Sequence, residues 1–121
     1  MGAAQRTLEI IWGYLGRRAV ERRTLGIFCP ARFINYHALL GTALELRYFD
    51  DDPLLTGRYF PPINVAIESR EDLIRRPVDE LLIMSWTFGD VIAEGLRHRS
   101  ELDDTKVVLI GELVGRAARA P

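Results

Sequence analysis

Five strand-length apolar blocks, separated by stretches with helical spacing, constrain this chain more than any other feature. The blocks are Leu25-Gly26-Ile27-Phe28, Leu46-Arg47-Tyr48-Phe49, Val65-Ala66-Ile67, Leu81-Leu82-Ile83-Met84 and Val107-Val108-Leu109-Ile110. Between them, residues 32–44, 69–76 and 87–99 place apolar side chains three and four apart, the repeat of a helix face. Strands that are apolar almost throughout must be covered on both sides, which is the condition of a parallel sheet. The predicted fold is therefore α/β: a Rossmann-like three-layer domain with a mostly parallel five-stranded sheet and helices on both faces.

An amphipathic helix over residues 5–23 precedes this unit. Leu8, Ile11, Trp12, Leu15 and Ala19 form its apolar stripe, with Arg6, Glu9, Arg18 and Arg22 largely elsewhere on the wheel. Gly13 and Gly16 each weaken it by about 1 kcal/mol relative to alanine, so packing must hold it. Ile10 and Tyr14 widen the stripe, either to lie on the helix's own sheet or to meet another domain or a second chain, as in a homodimer. Ser69 with Asp72, and Thr87 with Asp90, read as helix caps followed three residues later by an acid. Pro77 closes the helix before it, and residues 115–121 read as a small, basic, frayed tail.

At 121 residues the chain fits a single domain, 1–121. Sixteen basic residues against seventeen acidic ones give a net charge of −1, too little field to attract nucleic acid. The longest uncharged run, 33–44, is far short of the roughly 20 residues of a membrane span. Cys29 is the only cysteine, which excludes an internal disulfide and suits a reducing compartment; the expected location is the cytoplasm. Cys29, His37 and His98 are not spaced to share a metal ion. Cys29 reads as a packed thiol, His37 as a structural residue inside a helix, and His98 as part of a cationic helix end. No nucleophile–base pair stands out, so no catalytic residue is expected.

In such a sheet ligands bind beyond the carboxyl ends of the strands, where the winding direction reverses. With strand order 3-2-1-4-5, that crevice lies between the first and fourth strands. The first strand runs into Pro30, Ala31 and Arg32, and the fourth into Ser85, Trp86 and Thr87. A dinucleotide site needs a glycine-rich turn, but here the turn holds Phe28, Pro30 and Phe33, which argues against NAD. Asp50 stands where a ribose-binding acid would lie. The segment 50–64 has neither helical nor strand period, and long loops of this kind often carry function. Arg32 and Arg58 are the candidates for a phosphate, the competing role being ion pairs with Asp50, Asp51 and Asp52. Trp86 either stacks on a ring or caps the core.

Three stretches carry a family resemblance: Cys29-Pro30-Ala31-Arg32 with Asn35-Tyr36; Asp50-Asp51-Asp52-Pro53 through Gly57-Arg58-Tyr59-Phe60-Pro61; and Leu82-Ile83-Met84-Ser85-Trp86-Thr87-Phe88. Over residues 7–110 the chain resembles the C-terminal domain of S-adenosylmethionine-dependent sugar C-methyltransferases. The resemblance implies that a nucleotide-sugar or similar phosphorylated ligand contacts Pro30, Ala31, Arg32, Asp50, Asp52, Gly57, Arg58, Tyr59, Trp86 and Thr87. It also implies that the methyl donor belongs to a separate domain or partner chain, so this chain alone would carry no cofactor and methylate nothing. The chain departs from the pattern at Phe28 and Phe33, where the family has glycine, at Arg32 for lysine, at Thr87 for asparagine and at Pro62 for glycine. The two phenylalanines support an alternative: a non-enzymatic interaction or dimerisation module with a degenerate pocket.

Overall fold

A computed structural model of the protein describes residues 3–21, 23–29, 46–60 and 65–119. The expected helix over 32–44, and with it Pro30, Ala31, Arg32, Phe33 and His37, lies outside the described residues.

Helix α1 (Ala3–Val20) leads into strands β1 (Leu25–Phe28) and β2 (Leu46–Phe49). A two-residue strand β3 (Tyr59–Phe60), strand β4 (Val65–Glu68) and helix α2 (Arg70–Arg75) follow. Strand β5 (Glu80–Ile83), helix α3 (Gly89–Arg97), a 3-10 turn (Ser100–Leu102), strand β6 (Lys106–Leu109) and helix α4 (Ile110–Arg119) complete the chain. The sheet order is β3-β4-β2-β1-β5-β6. Strands β4, β2, β1, β5 and β6 are all parallel, and their order is the 3-2-1-4-5 arrangement from which the crevice between the first and fourth strands is placed. Among the described strands only β3 is antiparallel, against β4.

Side chains alternate across the sheet as the strand repeat of two requires. Leu25, Ile27, Leu46, Tyr48 and Leu82 pack with Ile11, Tyr14 and Leu15 of α1 and with Ile110 and Leu113 of α4. Their neighbours Phe28, Phe49, Leu81 and Ile83 point the other way, against Leu73 and Ile74 of α2 and Ala93 and Leu96 of α3. Helices thus cover both faces. Tyr14 is buried and Ile10 packs against the same cluster, so α1 spends both of them on its own domain.

Local chemistry explains several boundaries. Ser69 caps α2 through a reciprocal pair: its Oγ accepts the Asp72 N–H at 3.2 Å, and its own N–H donates to Asp72 Oδ2 at 3.0 Å. That backbone bond holds the Asp72 carboxyl below the usual carboxylate range. The second expected cap is corrected: α3 begins at Gly89 behind Phe88, with no side-chain cap, and Ser85 Oγ accepts the Phe88 N–H at 3.0 Å. Two further corrections concern the end of the chain. The last strand stops at Leu109, because Ile110 already begins α4, and the stretch expected to fray from residue 115 is helical to Arg119.

Two glycines predict opposite outcomes. At Gly16 an added Cβ would meet nothing within 4 Å, so Gly16→Ala should stabilise the protein by about 0.5–1 kcal/mol through helix propensity. At Gly26 an added Cβ would lie 2.8 Å from the Phe49 ring, so Gly26→Ala should destabilise it by about 1–3 kcal/mol through overpacking. Thermal unfolding of the two variants should move in opposite directions. A loss at Gly16 would contradict the open space there.

Candidate functional site

The carboxyl ends of β2 and β4 open into a cleft of about 550 Å³ lined by Asp50, Asp51, Pro53, Thr56, Ser69, Arg70 and Glu71. Asp50 follows β2 directly, and its N–H donates to the Glu68 carbonyl at 3.0 Å, which fixes it beside β4. Its Oδ1 accepts the Asp52 N–H at 2.9 Å, and Asp52 Oδ1 accepts the Leu54 N–H at 2.9 Å. Two successive Asx turns therefore fold the aspartate run into a compact wall. Gly57 closes the wall at φ 83°, a left-handed conformation that suits glycine, and its N–H donates to the Ile67 carbonyl at 2.8 Å.

Arg70 shapes the other side. Its guanidinium makes a two-pronged pair with Asp51, at 3.0 and 2.7 Å, and lies 5.5 Å from the centroid of the Phe28 ring. Asp51 is thereby occupied. Among the described residues the second oxygen of Asp50 and the whole carboxylate of Glu71 accept no hydrogen bond. Thr56 Oγ1 donates to the Asp52 carbonyl at 3.2 Å, and Ser69 Oγ accepts from Asp72 and keeps its own proton. The cleft thus offers two open carboxylate acceptors and two hydroxyls. Three acids against one arginine make it a poor place for a phosphate and a good one for groups that donate hydrogen bonds, such as sugar hydroxyls.

Cys29 stands next to this cleft. It adopts φ 59° at the end of β1, so the tight turn that dinucleotide folds make with glycine is made here by an L-residue, at a cost of about 1–2 kcal/mol. Burial, and then the charges of Asp50 and Asp51, push its thiol up to about 11, against the opposing pull of Arg70. At neutral pH it is a protonated, half-buried thiol and a poor nucleophile.

The sequence-predicted site residues are dispersed. Asp50 lines the cleft, and Asp52 and Gly57 build its wall. Arg58 and Tyr59 are exposed on the adjoining edge, and Arg58 has no ion-pair partner among the described residues. Asp51 takes Arg70 instead. Trp86 and Thr87 are exposed beyond β5. A Cβ placed on Gly111 of α4 would come within 3.8 Å of Trp86, so the indole leans toward α4. Strand β1 lies between that point and the cleft, a separation of at least about 10 Å at the usual strand spacing. Phe28 does not enter the cleft space: it is completely buried in the α2–α3 core. His98 lies 3.0 Å from Glu94, one helical turn before it.

Sequence reasoning overlooked Arg70, Ser69 and Glu71 as cleft residues. The signal was present, because the Ser69–Asp72 cap fixes where α2 starts, and in a parallel sheet the helix after β4 starts beside the carboxyl end of its neighbour β2. Among the described residues no group of three or more His, Cys, Asp or Glu side chains is arranged to hold a metal ion. No described helix is long and apolar enough to cross a membrane. Compared with protein-family models, curated proteins and solved structures, the chain matches none.

Proposed function

We propose that this domain binds a nucleotide-sugar, with the sugar hydroxyls in the cleft beside Asp50 and the phosphates toward Arg58. One observation carries the reading. Asp50 lies at the carboxyl end of the second strand with an open carboxylate oxygen in a hydroxyl-lined cleft, and an acid at that point in a Rossmann-type sheet is the group that accepts a ribose hydroxyl. The sequence resemblance supports the same ligand class. On this reading the domain supplies substrate binding to a sugar C-methyltransferase, and the methyl donor, S-adenosylmethionine, is held by a separate domain or partner chain.

Thymidine diphosphate and its sugar conjugates should raise the melting temperature saturably. Arg58→Ala should remove most of the shift given by the sugar conjugates. Asp50→Asn keeps the oxygen that accepts the Asp52 N–H and loses the charge, so it should leave the fold intact and weaken the sugar conjugates at least tenfold. Absence of any shift across a nucleotide-sugar panel would overturn the reading.

A second reading, a non-enzymatic interaction module, is favoured by the apolar row at the start of α3, where Trp86, Phe88 and Val91 are 56, 65 and 73 % exposed. An empty ligand panel together with self-association that Phe88→Ser disrupts would select it.

A further inference from the structure

We propose that the groove between α1, α4 and the amino end of β6 is a second binding site, for a small ligand bearing one or two phosphoryl groups. It lies at the end of the sheet opposite Asp50, since Lys106 opens β6 and is in register with Glu80, the first residue of β5. The groove has a volume of about 260 Å³. Among the described residues four cations line it, Arg17, Arg18, Lys106 and Arg116, and no carboxylate does.

These cations are not balanced from within. Arg18 pairs with Glu21 at 3.0 Å and approaches Glu80 at 3.6 Å. Glu80 is buried and already accepts from Tyr14 and Arg23. Arg17, Lys106 and Arg116 have no ion-pair partner among the described residues, although acids outnumber bases in the chain. Arg18 Nε is buried on the Glu80 side, 3.6 Å from that carboxylate. A site with three open cations matches a multiply charged oxyanion, which arginine holds through paired N–H donors. The size, just under the roughly 300 Å³ at which ordinary ligand pockets begin, selects phosphoryl groups over a whole nucleotide-sugar. Ile10 and Leu113 supply an apolar wall for whatever the phosphate is attached to.

The assignment is independent of the nucleotide-sugar reading, and calorimetric titration of the full chain at fixed ionic strength separates the two. Inorganic pyrophosphate should bind saturably. Arg17→Gln and Arg116→Gln, both at exposed positions, should each weaken it at least fivefold. Arg97→Gln, an equal change of charge on α3, should not. Adenosine diphosphate should bind as well as pyrophosphate if the phosphoryl groups act alone, and more tightly if Ile10 and Leu113 take up the nucleoside; both results support the site. Three results would overturn it: unchanged affinity in Arg17→Gln and Arg116→Gln, heat that tracks ionic strength without saturating, or loss of pyrophosphate binding in Arg58→Ala.

Discussion

Glu80→Ala should destabilise the protein by about 3–5 kcal/mol, a large part of the roughly 5–15 kcal/mol that holds a domain of this size together. Glu80 is 1 % exposed, and three groups converge on it from outside its strand. Tyr14 of α1 donates its hydroxyl, Arg23 donates at 3.0 Å, and Arg18 Nε stands 3.6 Å away. Burial, followed by the hydrogen bond and charge of Glu80, raises the Tyr14 phenol well above its ordinary value, so it remains a donor at any working pH. Removing the carboxylate strands a buried hydroxyl and leaves the two arginine heads with Glu21 as their shared counter-charge, and the penalty is the desolvation of those groups rather than the value of the lost bonds. Glu80→Gln keeps an acceptor for Tyr14 and should cost about 1–2 kcal/mol. Urea unfolding should give this order, with amide exchange in α1 accelerating most in the alanine variant. A cost below about 1 kcal/mol for Glu80→Ala would mean that the network does not dock α1 to the sheet.

That network also marks the boundary of what the residue pattern discloses. The five parallel strands were legible because short, almost wholly apolar runs set between helical stretches must be covered on both faces; their order was a premise of the fold class and not read from any residue. Strand β3 was not, because Tyr59–Phe60 is two residues long and lies in a turn-rich stretch, where no repeat of two can register. Helix α4 was hidden for another reason. Val107-Val108-Leu109-Ile110 reads as one apolar run, and the spacing of Ile110, Leu113 and Val114 is interrupted by Gly111 and Gly115, so the change of period at Leu109 left little trace.

The site divides along the same line. Asp50 could be placed from its position behind the second strand, a matter of local chain order. The Asp51–Arg70 pair spans nineteen residues, and the cations of the amino-end groove, at positions 17, 18, 106 and 116, meet only because α1 and α4 share one face of the sheet. Such juxtapositions are set by packing, and charge patterning along the chain does not encode them.

Phe28→Ala should cost about 3–5 kcal/mol and gain no ligand binding, and the two halves of that result together decide how the first turn is built. If Phe28 plugged a ligand crevice, as its place in a normally glycine-rich turn suggests, truncation would open space for a ligand at little cost to stability. Its ring is instead wholly buried with Phe49, Leu73, Ile83 and Ala93, so alanine leaves a cavity in the interior. The Arg70 guanidinium lies 5.5 Å from that ring and pairs with Asp51 on the cleft wall. Losing the ring should therefore loosen the cleft, and the affinity for nucleotide-sugars should fall. Phe28→Leu, which nearly conserves volume, should cost no more than about 1.5 kcal/mol and preserve both the pair and the affinity. A near-neutral Phe28→Ala that binds nucleotide-sugars more tightly than the parent would place the ring in the ligand's path and revive the reading in which the pocket is closed.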